Sequence, residues 1–159
     1  MTATAELFRE AWGRFPTGVS IITTRRDNGD FHCTTANAIS SVSLDPLLVL
    51  VSVGRGGNTH QNLKREGQFG INLLREDQAD MAKLFAGQGS DQRTIPASHH
   101  VRPSGTALLD EALAMMDCHV VQEHDAGDHT LFIAEVQHLE VNSGAPLVFF
   151  EGHFTALSG

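Results

Sequence analysis

Two polar segments bracket one apolar run. CTTANAISSVSLDP, residues 33–46, leads straight into LLVLVSV, residues 47–53, which opens into GRGGNT, residues 54–59. The first segment crowds hydroxyl and amide side chains against a core strand, which a plain surface loop seldom does. The second joins glycines, Arg55 and Asn58-Thr59 at the head of a helix. Backbone N–H groups at a helix N-terminus, with glycines that let the chain approach closely, make a seat for an anion. The alternative is that Asn58 or Thr59 is only the N-cap of that helix, and spacing alone favours it. Because the segments flank one strand, they lie either at its opposite ends or on the rim of one groove. A planar ligand with hydrogen-bonding edges and a phosphate tail would need both parts.

Other chemistries lack their signatures. No GxGxxG follows the first strand, and there is no GxxxxGK[ST], HExxH or GxSxG. The nine histidines keep no zinc-site spacing. His99-His100 reads as a solvated pair, and His119, His124 and His138 read as half-exposed strand residues. Cys33 and Cys118 form no CxxC, and free thiols in a reducing compartment are the simplest reading.

The elements around these segments follow from periodicity and turn chemistry. Phe8, Ala11, Trp12 and Phe15 recur at helical spacing, so residues 5–15 are predicted to be a helix that Pro16 stops. GVSIITTRR is a strand, Asn28-Gly29 a hairpin turn, and FHCTTANAISSV the returning strand. Asp45-Pro46 turns the chain into LLVLVSV, whose unbroken apolar character predicts burial on both faces. HQNLKREG is a short helix and GQFGINLL a strand. EDQADMAKLFAG is a helix with Gly87 as its C-cap. Residues 87–106 read as a long surface loop. LLDEALAMMDCHVVQEHD turns from a short helix or turn into a strand. Ala126-Gly127-Asp128 is a tight turn, HTLFIAEVQHLEV a long strand, and PLVFFEGHFTAL the last one. Six or seven strands in neighbouring hairpins, with two or three helices, predict a mainly β antiparallel barrel rather than a doubly wound sheet.

The 159 residues suit a single domain spanning 1–159. A chain of this size buries roughly 70% of its unfolded surface and needs no disulfide or metal to fold. With 11 Lys and Arg against 19 Asp and Glu, the net charge of -8 argues against a general nucleic-acid binder. The N-terminal MTATAELFREAWGRF has no apolar core and is not expected to be a signal peptide. No run approaches the roughly 18 apolar residues of a membrane span, so a cytoplasmic protein is expected.

FREAWGRFPTGVSIITT, TTANAISSVSLDPLLVLVSV, GQFGINLL, KLFAG, DCHVVQEHDAGDHTLFIAEV and PLVFFEGHF together resemble the short-chain flavin reductase family. The resemblance runs from about residue 7 to the C-terminus, with the segments in the family's order. It implies an antiparallel six-stranded split β-barrel of the FMN-binding type, with flanking helices, working as a homodimer. It implies hydride transfer from NADH or NADPH to FMN or FAD, and a separate flavin-dependent monooxygenase that receives the reduced flavin. By the same resemblance, Thr34, Thr35, Ala36, Asn37 and Ala38 line the isoalloxazine and ribityl region, with Ser40 and Ser41 bonding nearby. Ser52, Val53, Gly54, Arg55, Gly56, Gly57, Asn58 and Thr59 wrap the ribityl phosphate, with Arg55 as its charged partner. Phe85 and Ala86 close part of the site, Arg93 adds a phosphate contact, and Pro16 and Phe150 shape the cleft. His129 matches the catalytic position beside the nicotinamide, where it orients the ring. Its alternative role is to cap the Ala126–Asp128 turn.

The chain departs from the family pattern in places. Gly56, Gly57 and Asn58 stand where serines are common, Ala134 replaces a glycine, and Asp91-Gln92-Arg93 lacks the usual aromatic. Phe150 stands for a tyrosine, and the chain has no tyrosine at all. The cofactors carry the hydride chemistry, so no acid/base triad is expected. The competing reading is a split-barrel protein that holds FMN or haem without nicotinamide turnover. A bare dimerisation module is a third reading and has no use for the TTANA lip.

Overall fold

The computed structural model describes residues 1–87, 93–96 and 98–157. Helix α1 (Ala5–Gly13) is capped by Thr4, whose hydroxyl accepts from the Leu7 N–H at 3.2 Å. It ends two residues before the predicted limit, because Pro16 disfavours helical backbone at the residue before it. None of its residues is buried in the single chain. Phe8, Trp12 and Phe15 instead stack edge to face along its outer side.

The strands are β1 (Thr17–Gly18), β2 (Ser20–Arg25), β3 (Phe31–Ala36), β4 (Ile39–Leu44), β5 (Leu47–Gly54), β6 (Gln68–Leu73), β7 (His99–Val101), β8 (Ala107–Leu109), β9 (Ala114–Ala126), β10 (His129–Val141), β11 (Leu147–Phe150) and β12 (His153–Ala156). The main sheet is antiparallel with the order β3-β2-β6-β9-β10-β5-β4. It counts seven strands rather than six, because the strand expected over residues 31–42 breaks at Asn37-Ala38 into β3 and β4, which lie at opposite edges. The final segment is likewise a hairpin, β11 and β12, since Glu151 and Gly152 take positive φ and reverse the chain.

One apolar cluster gathers Ile22 of β2, Phe69 and Ile71 of β6, Cys118 of β9, Phe132 and Ala134 of β10 and Val51 of β5. Five neighbouring strands can share one cluster only if the sheet curls around it. Leu63 of helix α2 (Asn58–Glu66) plugs the same interior. A second cluster covers the other side of β2 and β6. There Ile21, Leu74 and Met115 meet Ala82 of α3 (Ala79–Leu84), Phe85, Leu108 of β8 and Leu147 of β11. Strand β2 is therefore buried on both faces, with five of its six residues buried, and β6 is buried likewise over Phe69, Gly70, Ile71 and Asn72. Strand β5, expected to be so, buries only Val51. Its Val49, Val51 and Val53 face the interior cluster, while Leu48 and Leu50, on the other face, are partly exposed.

The helix predicted over EDQADMAKLFAG begins as a 3-10 turn at Glu76–Gln78 and ends with Phe85 as C-cap; Gly87 lies two residues beyond at φ +77°. Within the expected loop 87–106, residues 88–92 and 97 lie outside the described residues, while His99–Val101 pairs with Ala107–Leu109 as a hairpin. LLDEALA forms no helix: Ala107–Leu109 is already strand, and Asn72 holds it by accepting from the Leu109 N–H at 2.8 Å. Cys33 and Cys118 sit in different clusters and are free. Burial pushes both thiols up to about 12, so they stay protonated and unreactive at neutral pH.

Gly70 of β6 is where β8 crosses closest. A Cβ there would meet the Ala107 carbonyl oxygen at 2.6 Å and the Thr23 hydroxyl closer still. Backbone cannot swing aside as a side chain can. Gly70→Ala is therefore expected to destabilise the fold by about 2 kcal/mol, read as a lower midpoint in urea unfolding at unchanged slope.

Candidate functional site

Strands β4 and β5 form a hairpin through Asp45-Pro46, so the start of β4 lies beside the end of β5. Ile39 is opposite Val51, and the Ser52 N–H donates to the Ala38 carbonyl at 2.9 Å. The two polar segments therefore share one rim. They bound a cavity of about 560 Å³, within the range of small-molecule sites. Its walls come from Thr34, Thr35 and Ala36 of β3, and from Asn37 and Ala38 where the chain crosses between the edges. Ser52, Val53 and Gly54 of β5 continue the wall, followed by Gly56, Gly57, Asn58 and Thr59, with His129 of β10 opposite.

Helix α2 starts on this wall. Its N-cap is Gly57, with no side-chain capping bond, so neither Asn58 nor Thr59 is the cap. Gly56 has φ +91°, a conformation that glycine adopts without strain. The Thr59 hydroxyl is 3.0 Å from His32 Nε2 of β3, and Asn62 donates to the Thr24 hydroxyl of β2 at 3.0 Å. These buried bonds pin the helix to the sheet. Its first N–H groups are left for solvent or a ligand.

Arg55 does not line the cavity. Its guanidinium donates to the Gly127 carbonyl and lies 3.6 Å from the Asp125 carboxylate, and its N–H donates to the Asp128 carbonyl at 3.0 Å. The β5–β10 register sets His129 opposite Gly54, so residue 55 meets the β9–β10 turn. In this arrangement the guanidinium faces the turn and not the cavity. His129 holds Asp128 through Nδ1 at 2.7 Å. This hydrogen bond, followed by the charge of His129, keeps the Asp128 carboxyl below its ordinary range. His129 Nε2 lies over Gly54, where a Cβ would come within 3.9 Å. The ring thus flanks the turn and lines the cavity at once.

The remaining predicted residues sit outside this cavity. Phe85 is fully buried in the second cluster, and only its carbonyl reaches the site, accepting from the Thr35 N–H at 3.1 Å. Ala86 lines a neighbouring cavity of about 180 Å³, which shares Thr35, Ala36 and Asn37 with the first and is closed by Phe149 and Phe154. Ser40 and Ser41 are exposed on β4, the Ser40 hydroxyl donating to the Ser41 carbonyl. Arg93 donates to the Leu84 carbonyl and borders a separate groove with Arg26. Pro16 and Phe150 are exposed together at one end of the β1–β11 pair. Conversely, His32 and His60 line the cavity without having been predicted. His32 shares a face with Thr34 by the period of two in a strand. His60 follows Thr59 in the first turn of a helix that begins two residues earlier than HQNLKREG indicates.

No group of three or more His, Cys, Asp or Glu among the described residues could hold a metal ion. No helix among them is long and apolar enough to cross a membrane. The model of the flavin reductase like domain matches residues 12–158. The chain belongs to the flavin reductase-like family. An NADH-dependent flavin reductase from Rhodococcus sp is 41% identical over 151 residues, covering 94% of this chain and 84% of that protein. The reductase component of a 4-nitrophenol 4-monooxygenase/4-nitrocatechol 2-monooxygenase from Rhodococcus opacus is 38% identical over 147 residues, covering 92% and 78%. A flavin reductase solved in its native state superposes with a TM-score of 0.89 at 38% identity, covering 99% of this chain and 100% of that one. The curled seven-stranded sheet is accordingly the split barrel of flavin reductases.

With Arg55 tied to an exposed turn, Arg55→Ala is expected to change global stability by less than about 1 kcal/mol. Faster amide exchange confined to the 124–130 hairpin tip is the signature that checks it.

Proposed function

We propose that the chain is an NAD(P)H-dependent flavin reductase that passes hydride from NADH or NADPH to FMN or FAD and releases reduced flavin to a separate monooxygenase. The observation that carries this reading is the single cavity shared by the TTANA segment, the glycine loop before α2 and His129. Thr34, Thr35 and Asn37 offer polar edges to a flat ring. The N–H groups around Gly57 and Asn58 suit a phosphate, and His129 stands where it can orient a nicotinamide. When bound, the cofactors supply the hydride donor and acceptor. The chain stacks and orients them and shields the ring edge where negative charge develops. The relatives named above are reductases, one of them the reductase component of a two-component monooxygenase, which supports both the activity and an oxygenase partner.

A single domain over 1–159 suffices for this activity. A homodimer in the cytoplasm completes the proposal. Leu44 at 88% exposure, Trp12 at 54% and Val141 at 72% are apolar residues that the single chain leaves uncovered. A second copy would bury such surface. NADH or NADPH consumption at 340 nm, with FMN or FAD added, tests the function, and flavin-dependent turnover is the expected result. No turnover with either nucleotide, in protein that binds FMN, would favour a flavin-holding role. Asn37→Leu is expected to weaken flavin binding about tenfold by removing one polar contact and crowding the rim, with circular dichroism unchanged. Removing the His129 ring as His129→Ala is expected to raise the nicotinamide KM several-fold more than the flavin Kd. An unchanged KM would return His129 to a turn-flanking role.

A further inference from the structure

His60 is half-buried on the cavity wall, directly after Thr59. Its Nε2 lies 2.9 Å from the Thr130 hydroxyl, and that hydroxyl donates to Asp125 Oδ1 at 3.0 Å. The other oxygen of Asp125 lies 3.6 Å from Arg55. Proton accounting fixes the direction of this chain. A carboxylate only accepts, and a threonine hydroxyl has one proton. Thr130 therefore gives its proton to Asp125 and must accept from His60, which requires Nε2 to carry a proton. Nδ1 is the ring atom left to meet a ligand. The Phe132 ring packs edge-on against the imidazole at 5.7 Å, so the ring plane is held as well. Thr130 is wholly buried at 0% exposure, so its hydroxyl is held between the ring and the more exposed Asp125 carboxylate.

We infer that Asp125 and Thr130 form a positioning relay that sets His60 as a contact for the phosphate monoester of the flavin. The inference rests on the flavin reading above. Contact between Nδ1 and a phosphate monoester needs one proton between them, carried by the ring against the dianion or by the P–OH of the monoanion against a bare Nδ1. One proton is shared between ring and phosphate, and no other group needs to change.

The test compares FMN with riboflavin, which keeps the ring and ribityl chain and lacks the phosphate. Binding is followed by quenching of flavin fluorescence. Thr130→Val keeps the buried shape and removes the hydroxyl. It is expected to weaken FMN binding about fivefold or more while leaving riboflavin within about twofold, and Thr130→Ser is expected to restore FMN. If Thr130→Val does not fold, His60→Phe keeps the ring packing on Phe132, and the same FMN-selective loss is expected. Equal losses for both flavins, or FMN affinity unchanged in a variant, would overturn the relay while leaving the flavin reading in place. A wild-type protein that binds FAD but neither FMN nor riboflavin would overturn the relay alone, and one that binds none of the three would overturn the flavin reading with it.

Discussion

The antiparallel pairing of β4 with β5 is the constraint on which the site depends. It sets Ala38 against Ser52 with a single backbone hydrogen bond of 2.9 Å. Residues that flank a strand in sequence would otherwise sit at its two ends, about 26 Å apart for a strand of 8 residues. Here the hairpin folds the first flank back along the strand until it meets the second. Strand β3 then occupies the far edge of the sheet from β4, and Asn37-Ala38 must cross between the edges. The cavity is the space that this crossing leaves beside the curled sheet.

Buried polar bonds keep that space from collapsing. His32 with Thr59 and Asn62 with Thr24 fasten α2 to β2 and β3, so the start of the helix cannot slide into the opening. All four residues are buried, and an unpaired partner would cost about 1–3 kcal/mol. Beside the cavity, Arg55 holds the β9–β10 turn and His129 holds Asp128. Charged side chains here brace the walls, and backbone and imidazole groups face the opening.

Much of this was legible in the sequence, and the misses have physical causes. Asn28-Gly29 and Ala126-Gly127-Asp128 gave their turns, because positive φ selects glycine. The helical stripe of Phe8, Trp12 and Phe15 gave α1. LLVLVSV misled because apolar runs are read as doubly buried, whereas one face of β5 is left partly open in the single chain. FHCTTANAISSV misled because small polar residues do not announce a strand break at Asn37-Ala38. The polar rim was visible from residue types, but whether its halves converged depended on strand pairing, which is non-local. Nor was it legible that Arg55 meets the β9–β10 turn. Its partners Asp125 and Gly127 lie 70 or more positions away and become neighbours only through the β5–β10 register. His60 was hidden because its partner Thr130 lies 70 positions away and meets it only in the fold.

Among the described residues, the cavity wall contains no lysine or arginine, and the chain as a whole carries a net charge of -8. On the proposed reading, the flavin's anionic tail meets amide dipoles and imidazole nitrogens along this wall rather than a fixed full charge. Short-range bonds of that kind respond little to ionic strength, since screening acts mainly on charges separated by a Debye length or more. They also form no deep electrostatic well. The expected kinetic character is a short residence time that salt barely alters, which suits a protein whose product must leave to react elsewhere.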